Sequence, residues 1–165
     1  MNAAIPEPEQ IYLQLRRRVL DLNPADIGLS PSPAAPHVWG VLMETGYEVG
    51  AATLMALADG TTSLYYSTGG GMLGSGEFAP LAEASKTLVA QAEAQLPLMK
   101  PSTITALPKI GRVKFTLLTY SGILSAQAPE KSLVSNQHPL SPLFTQAQIT
   151  LQQLRALTEK RHQPA

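Results

Sequence analysis

Apolar residues recur at helical spacing in three stretches, and the runs between them alternate or stay apolar throughout. The first stretch is PEPEQIYLQLRRRVLDLNP. Ile11, Leu15, Val19 and Leu22 fall on one face and predict a helix over 8–22. Pro8 suits its first turn, where a missing N–H is not needed. Glu7 and Glu9 open it and Arg16, Arg17 and Arg18 lie toward its end, so charge follows the macrodipole. Asn23-Pro24 ends it. Consecutive helical positions diverge by about 100°, so the three arginines cannot share a face and are expected to be solvated.

Residues 23–36, with prolines at 24, 31, 33 and 36, read as a surface connector. His37 to Thr45 reads as a strand, Gly46 to Gly50 as a turn, and Ala51–Ala58 with Thr61–Thr68 as a hairpin about Asp59-Gly60, a pair suited to a type I′ turn. Ala51–Ala58 is almost apolar on both faces, the mark of a strand covered on both sides. STGGGMLGSG (67–76) then reads as a glycine-rich connector from strand to helix. In the next stretch Phe78, Leu81, Ser85, Leu88, Val89, Ala92 and Leu96 share a helical face, with Pro80 in the first turn. A short strand at Thr103–Leu107 and a hairpin over Lys114–Ala128 about Ser121-Gly122 follow. The last helix opens with Ser141 as N-cap and Pro142 behind it. It carries Leu140, Phe144, Ala147, Leu151 and Leu154 at 4-3-4-3 spacing, with glutamines on the opposite side.

These elements predict an α+β fold: a largely antiparallel five- or six-stranded sheet with helices on both faces, a three-layer α/β/α sandwich. With 165 residues, a single domain over 1–165 is expected, its body spanning 37–160. Hydrophobic residues make up 44% and charged residues 15%, a globular composition. Twelve basic and twelve acidic side chains cancel, which argues against nucleic acid or an anionic membrane as partner. The absence of cysteine removes thiolate metal sites and thiol nucleophiles. MNAAIPEPEQ lacks the basic-then-apolar pattern of a signal peptide, and the apolar run Gly50–Ala58 is too short to cross a bilayer, so a cytoplasmic protein is expected.

Gly69, Gly71 and Gly74 fit G-x-G-x-x-G, but they precede the helix instead of opening it. They also follow the second arm of a hairpin, and no acidic residue ends the next strand to hold a ribose. Gly71 and Gly76 have phosphate-loop spacing, yet Glu77 stands where lysine is needed and repels a phosphate. What remains is a ligand- or partner-binding candidate at Tyr66, Ser67, Thr68, Gly69, Gly70, Gly71, Gly74 and Gly76, whose backbone amides suit a small anion or a partner's carboxylate. His37, His138 and His162 are too scattered for a metal site, and no cofactor is expected. Ser75 misses the nucleophile-elbow pattern by one position at both ends. Glu44, Glu48, Asp59 and Glu77 form no acid–base pair, so no catalytic residue is assigned. Of Tyr65 and Tyr66, which point to opposite faces of their strand, one is expected in the core and the other as a surface anchor. Trp39 is expected in the core.

VWGVLMETGYEVGAATLMALADGTTSLYYSTGGGMLGSGE, RVKFTLLTYSGILSAQA and HPLSPLF resemble a family of small bacterial proteins of unassigned function, over Val38 to about Arg155. The element order is also similar to the roadblock and longin-type profilin-like sandwiches. That resemblance implies a dimeric scaffold or a small-GTPase regulator. The expected function is a non-catalytic protein-interaction or scaffold module that self-associates. The alternative is a small-ligand or anion-binding domain, as an enzyme or otherwise, using the glycine-rich loop 69–76.

Overall fold

A computed structural model describes residues 8–74, 77–102 and 106–161. The chain begins with helix α1 (Pro8–Leu20) and a 3-10 turn at Pro24–Ile27. Strands β1 (Val38–Tyr47), β2 (Gly50–Leu57), β3 (Thr62–Tyr66) and β4 (Gly71–Gly74) lead to helix α2 (Ala79–Glu93). Strands β5 (Lys100–Pro101), β6 (Arg112–Thr119) and β7 (Gly122–Pro129) follow, then the short helix α3 (Glu130–Val134) and the long helix α4 (Ser141–Arg161). The architecture is α+β, with a seven-stranded sheet in the order β4-β3-β2-β1-β6-β7-β5, every neighbouring pair antiparallel. Seven strands replace the five or six expected. Of the strand read at Thr103–Leu107, residues 103–105 lie outside the described residues; the strand seen there is β5.

Alternate residues of the central strands enter two apolar clusters, as the period of a pleated strand requires. One cluster joins Val41, Met43, Leu54 and Phe115 to Leu81 and Leu88 of α2 and Leu143 and Leu154 of α4. The other joins Trp39, Leu42, Met55, Leu57 and Leu118 to Val19 and Leu20 of α1. β2 is buried along nearly its whole length, as its apolar sequence requires. The Trp39 indole N–H is buried without a hydrogen-bond partner among the described residues. Between α2 and α4, Gln146 Nε2 and Thr150 Oγ1 both donate to the Ala84 carbonyl at 3.1 Å.

Several local expectations change. β1 runs on through Gly46 to Tyr47, so its turn to β2 is only Glu48-Val49. The Asp59-Gly60 turn has positive φ at Gly60 alone, and Leu57 N–H donates to Thr61 O while Gly60 N–H donates to Leu57 O. This is a three-residue loop with a glycine bulge in place of a type I′ turn. Asp59 Oδ1 accepts from Thr61 N–H. Ser141 is the first helical residue of α4, and its hydroxyl reaches back to the Ser132 carbonyl at 3.4 Å instead of capping the turn ahead.

The buried face of α1 is not the one its apolar spacing marks. Tyr12, Arg16, Val19 and Leu20 are buried, while Ile11 is 45% exposed. Arg16 reverses the expectation of a solvated triplet. Its Nε and Nη2 donate to the two oxygens of Glu44 on β1, at 2.6 and 2.9 Å. Thr53 Oγ1 donates to Glu44 Oε2 at 2.6 Å, which leaves the Tyr12 hydroxyl to donate to Thr53. Burial pushes the Tyr12 phenol up to about 12, opposed by the Thr53 bond and reinforced by the Glu44 charge. Burial also works against the charge on Arg16, but hydrogen bonding and attraction to Glu44 outweigh it and hold the guanidinium ionised.

Candidate functional site

The described part of the glycine-rich stretch, 67–74, forms a turn and a strand of its own instead of leading from β3 straight into a helix. Tyr66 N–H donates to Gly70 O and Gly69 N–H to Tyr66 O, which closes a tight turn between β3 and β4. Gly69 and Gly70 both take positive φ, and a Cβ on Gly71 would lie 2.2 Å from the Leu64 carbonyl oxygen. The three glycines are what allow the chain to reverse here and run back along β3.

Beside this hairpin lies a groove of about 550 Å³. One wall is α1, through Ile11, Tyr12 and Leu15. The other is the hairpin, through Tyr65, Gly70 and Leu73. The docking of α1 creates it: because the Arg16–Glu44 pair fixes the helix rotation, Ile11 and Leu15 are turned toward the hairpin instead of onto the sheet. Leu73 stays 62% exposed on the outer edge of β4. Among the described residues the lining carries no lysine or arginine. At the far end of the same strand Arg161 Nη1 donates to the Leu73 carbonyl at 2.6 Å.

Of the residues singled out in the sequence, Tyr66, Gly69, Gly70 and Gly71 line the groove. Ser67 is buried, its Oγ accepting from Ala51 N–H at 2.8 Å, and Thr68 is exposed at the turn. Gly74 is buried on the other side of the sheet, where a Cβ would lie 2.2 Å from Leu81 Cδ2 and 3.3 Å from Leu154 Cδ1. Gly76 lies outside the described residues, as do Ser75 and His162. Both tyrosines line the groove and both are half-buried, so neither is the core residue that was expected; Tyr66 alone also packs against the α2–α4 cluster. Ile11 and Leu15 were legible as an apolar stripe, but only the three-dimensional docking shows that the stripe is left uncovered.

The other candidate groups have structural partners. His37 N–H and Val38 N–H donate to Glu93 Oε1 at 2.6 and 2.7 Å, and His37 Nδ1 lies 3.0 Å from Glu93 Oε2. Partial burial works against ionisation of Glu93, but these bonds together outweigh it and hold the carboxyl below its usual range. His138 Nδ1 accepts from Leu140 N–H at 3.0 Å. Lys114 Nζ donates to the Ala106 carbonyl at 2.8 Å, and burial pulls its ammonium below the ordinary lysine value despite the nearby Glu44. Among the described residues no helix is long and apolar enough to cross a membrane. Comparison with protein-family models, with curated proteins and with solved structures gives no match.

Proposed function

We propose that the chain is a non-catalytic interaction module that pairs with a second copy of itself through the β4 edge and the adjoining groove. The observation that carries this reading is the asymmetry of the two sheet edges. β5 is two residues long and consists of Lys100-Pro101, a charge and a residue without an N–H, both of which block strand addition. β4 is Gly-Met-Leu-Gly, with neither charge nor proline, and Leu73 stands out from it. An antiparallel meeting of two β4 edges about a two-fold axis brings each Leu73 to the other subunit and sets the two grooves side by side, a self-complementary arrangement. Arg161 then leaves the Leu73 carbonyl, a small cost for an exposed side chain.

The alternative occupant, a small anion on the glycine amides, has less in its favour. Gly69 N–H is used within the turn, and among the described residues the lining is apolar and lacks a cation. The proposal takes the fold as a profilin-like three-layer sandwich in a cytoplasmic setting, with α1 on one side of the sheet and α2 and α4 on the other.

Sedimentation equilibrium at micromolar concentration tests it. The expected result is a dimer for the wild type and a monomer for Leu73→Lys, with unchanged circular dichroism and a melting temperature that no longer rises with protein concentration. A wild-type monomer at the highest soluble concentration, or a Leu73→Lys dimer as tight as the wild type, overturns the reading.

A further inference from the structure

A second cavity, of about 450 Å³, opens on the other side of the sheet. α4 packs chiefly on α2, α3 and β4, and the cavity lies between it and the Met43–Tyr47 part of β1. Its open apolar lining comes from Tyr66, Val134 and Leu151, above the nearly buried core residues Met43, Leu54, Leu64 and Phe144. Its rim is polar and carries one charge of each sign. Glu130 comes from the first turn of α3, and Arg155 comes from α4, one face of which also brings Gln148 and Gln152 to the opening. Glu130 and Arg155 make no ion pair, with each other or with any other described residue, and neither side chain has a hydrogen bond among the described residues. Two opposite charges thus line one concave site without neutralising each other.

We infer that this cleft binds a small zwitterion with an apolar body, an apolar amino acid or dipeptide. The carboxylate would pair with the Arg155 guanidinium, whose planar fork matches it. The ammonium would pair with Glu130, and the side chains would cover the open apolar surface of Tyr66, Val134 and Leu151. The volume lies within the range of small-molecule sites, which combine an apolar lining with a few convergent polar groups. A simple anion or cation gains less, because the rim charge of its own sign repels it. Tyr47 and Gln148, at the mouth with no side-chain hydrogen bond among the described residues, supply further donors and acceptors.

Isothermal titration calorimetry on the full chain tests the inference, with leucine, phenylalanine and leucyl-leucine as probes. N-acetyl-leucyl-leucine and leucyl-leucinamide each remove one charge. Saturable binding of at least one zwitterion is expected, weakened about tenfold or more by loss of either charge. Arg155→Gln should abolish the preference for the free carboxylate and Glu130→Gln the preference for the free amine, each leaving the other preference in place. Gln148→Trp, which fills the opening from an existing partly exposed position, should remove binding. No saturable heat with any probe at millimolar concentration overturns the inference. So does equal binding of charged and blocked dipeptides, or binding unchanged in Gln148→Trp. The dimer tested through Leu73 does not involve this cleft, so either idea can fail alone.

Discussion

Replacing Arg16 by methionine keeps much of the side-chain volume but leaves the Glu44 carboxylate fully buried without its bidentate partner, answered by the Thr53 hydroxyl and the charge of the neighbouring Lys114. The side chains of Arg16 and Glu44 are 7% and 0% exposed, so the pair belongs to the buried class. Removing one partner of such a pair costs about 3–5 kcal/mol, because the remaining charge has lost its counter-ion but not its burial. For a chain of this size each kcal/mol lowers the melting temperature by about 2–4 °C, which gives a fall of about 6–20 °C. Arg16→Met with Glu44→Met should be less harmful than Arg16→Met alone, because the charge is removed with its bidentate partner; the Thr53 donor then needs another acceptor and Lys114 keeps its bond to the Ala106 carbonyl. Urea denaturation followed by circular dichroism gives the free energies, and hydrogen exchange of the α1 amides shows whether the helix comes off first. A loss below about 1 kcal/mol in Arg16→Met, with α1 still protected, would mean that the pair behaves like an exposed one, and the account of how α1 is seated would fall.

Two further outcomes can be checked on the same protein. The Glu93 carboxyl is held below its ordinary range in the native state, so the unfolded chain binds the proton more readily; the contribution is present above the usual glutamate value of about 4.3 and is lost as pH falls through the native value. The stability gap between wild type and Glu93→Gln should therefore shrink on acidification from about pH 7 to about pH 3, and a gap independent of pH refutes the assignment. Gly74→Ala places a methyl against Leu81, which is itself buried, and should cost about 1–3 kcal/mol in urea unfolding, whereas a neutral result would show that Leu81 yields freely.

The parts of the fold that could be read from the chain are those whose local pattern and tertiary use agree. β2 reads as doubly covered and is; α2 buries Leu81, Ser85, Leu88, Val89 and Ala92, the face its spacing marks. α1 departs from its pattern because its docking depends on an ion pair, and an arginine on a helix scores as polar until a buried glutamate is found opposite. β4 was hidden for a different reason. Gly-Met-Leu-Gly has no strand propensity of its own and becomes a strand only by pairing with β3. α3, five residues long, has too little sequence to show a period. The groove was half visible: its glycines and Tyr65 stand out in the chain, but their meeting with Ile11 and Leu15 depends on the rotation of α1. The cleft under α4 was not visible, because Glu130 and Arg155 are ordinary surface charges in the sequence and gain meaning only from the apolar lining between them.

The strand order also says how the chain comes together. β1 to β4 form one run of neighbouring hairpins, and β6 with β7 forms another, so each half of the sheet closes over short loops and can assemble quickly. A single seam joins the halves, where Val38 meets Thr119 and Thr45 meets Val113, with α2 and the segment after it lying between in the chain. Closing that seam bears most of the loop entropy, and it buries Phe115, Leu117 and Leu118 against β1 only once it is made. The zipping of β1 to β6 is therefore the step that contact order expects to be slow. Until it happens, β1 and β6 are unpaired edges of half-built sheets, which is where a partly folded chain would be most exposed to aggregation.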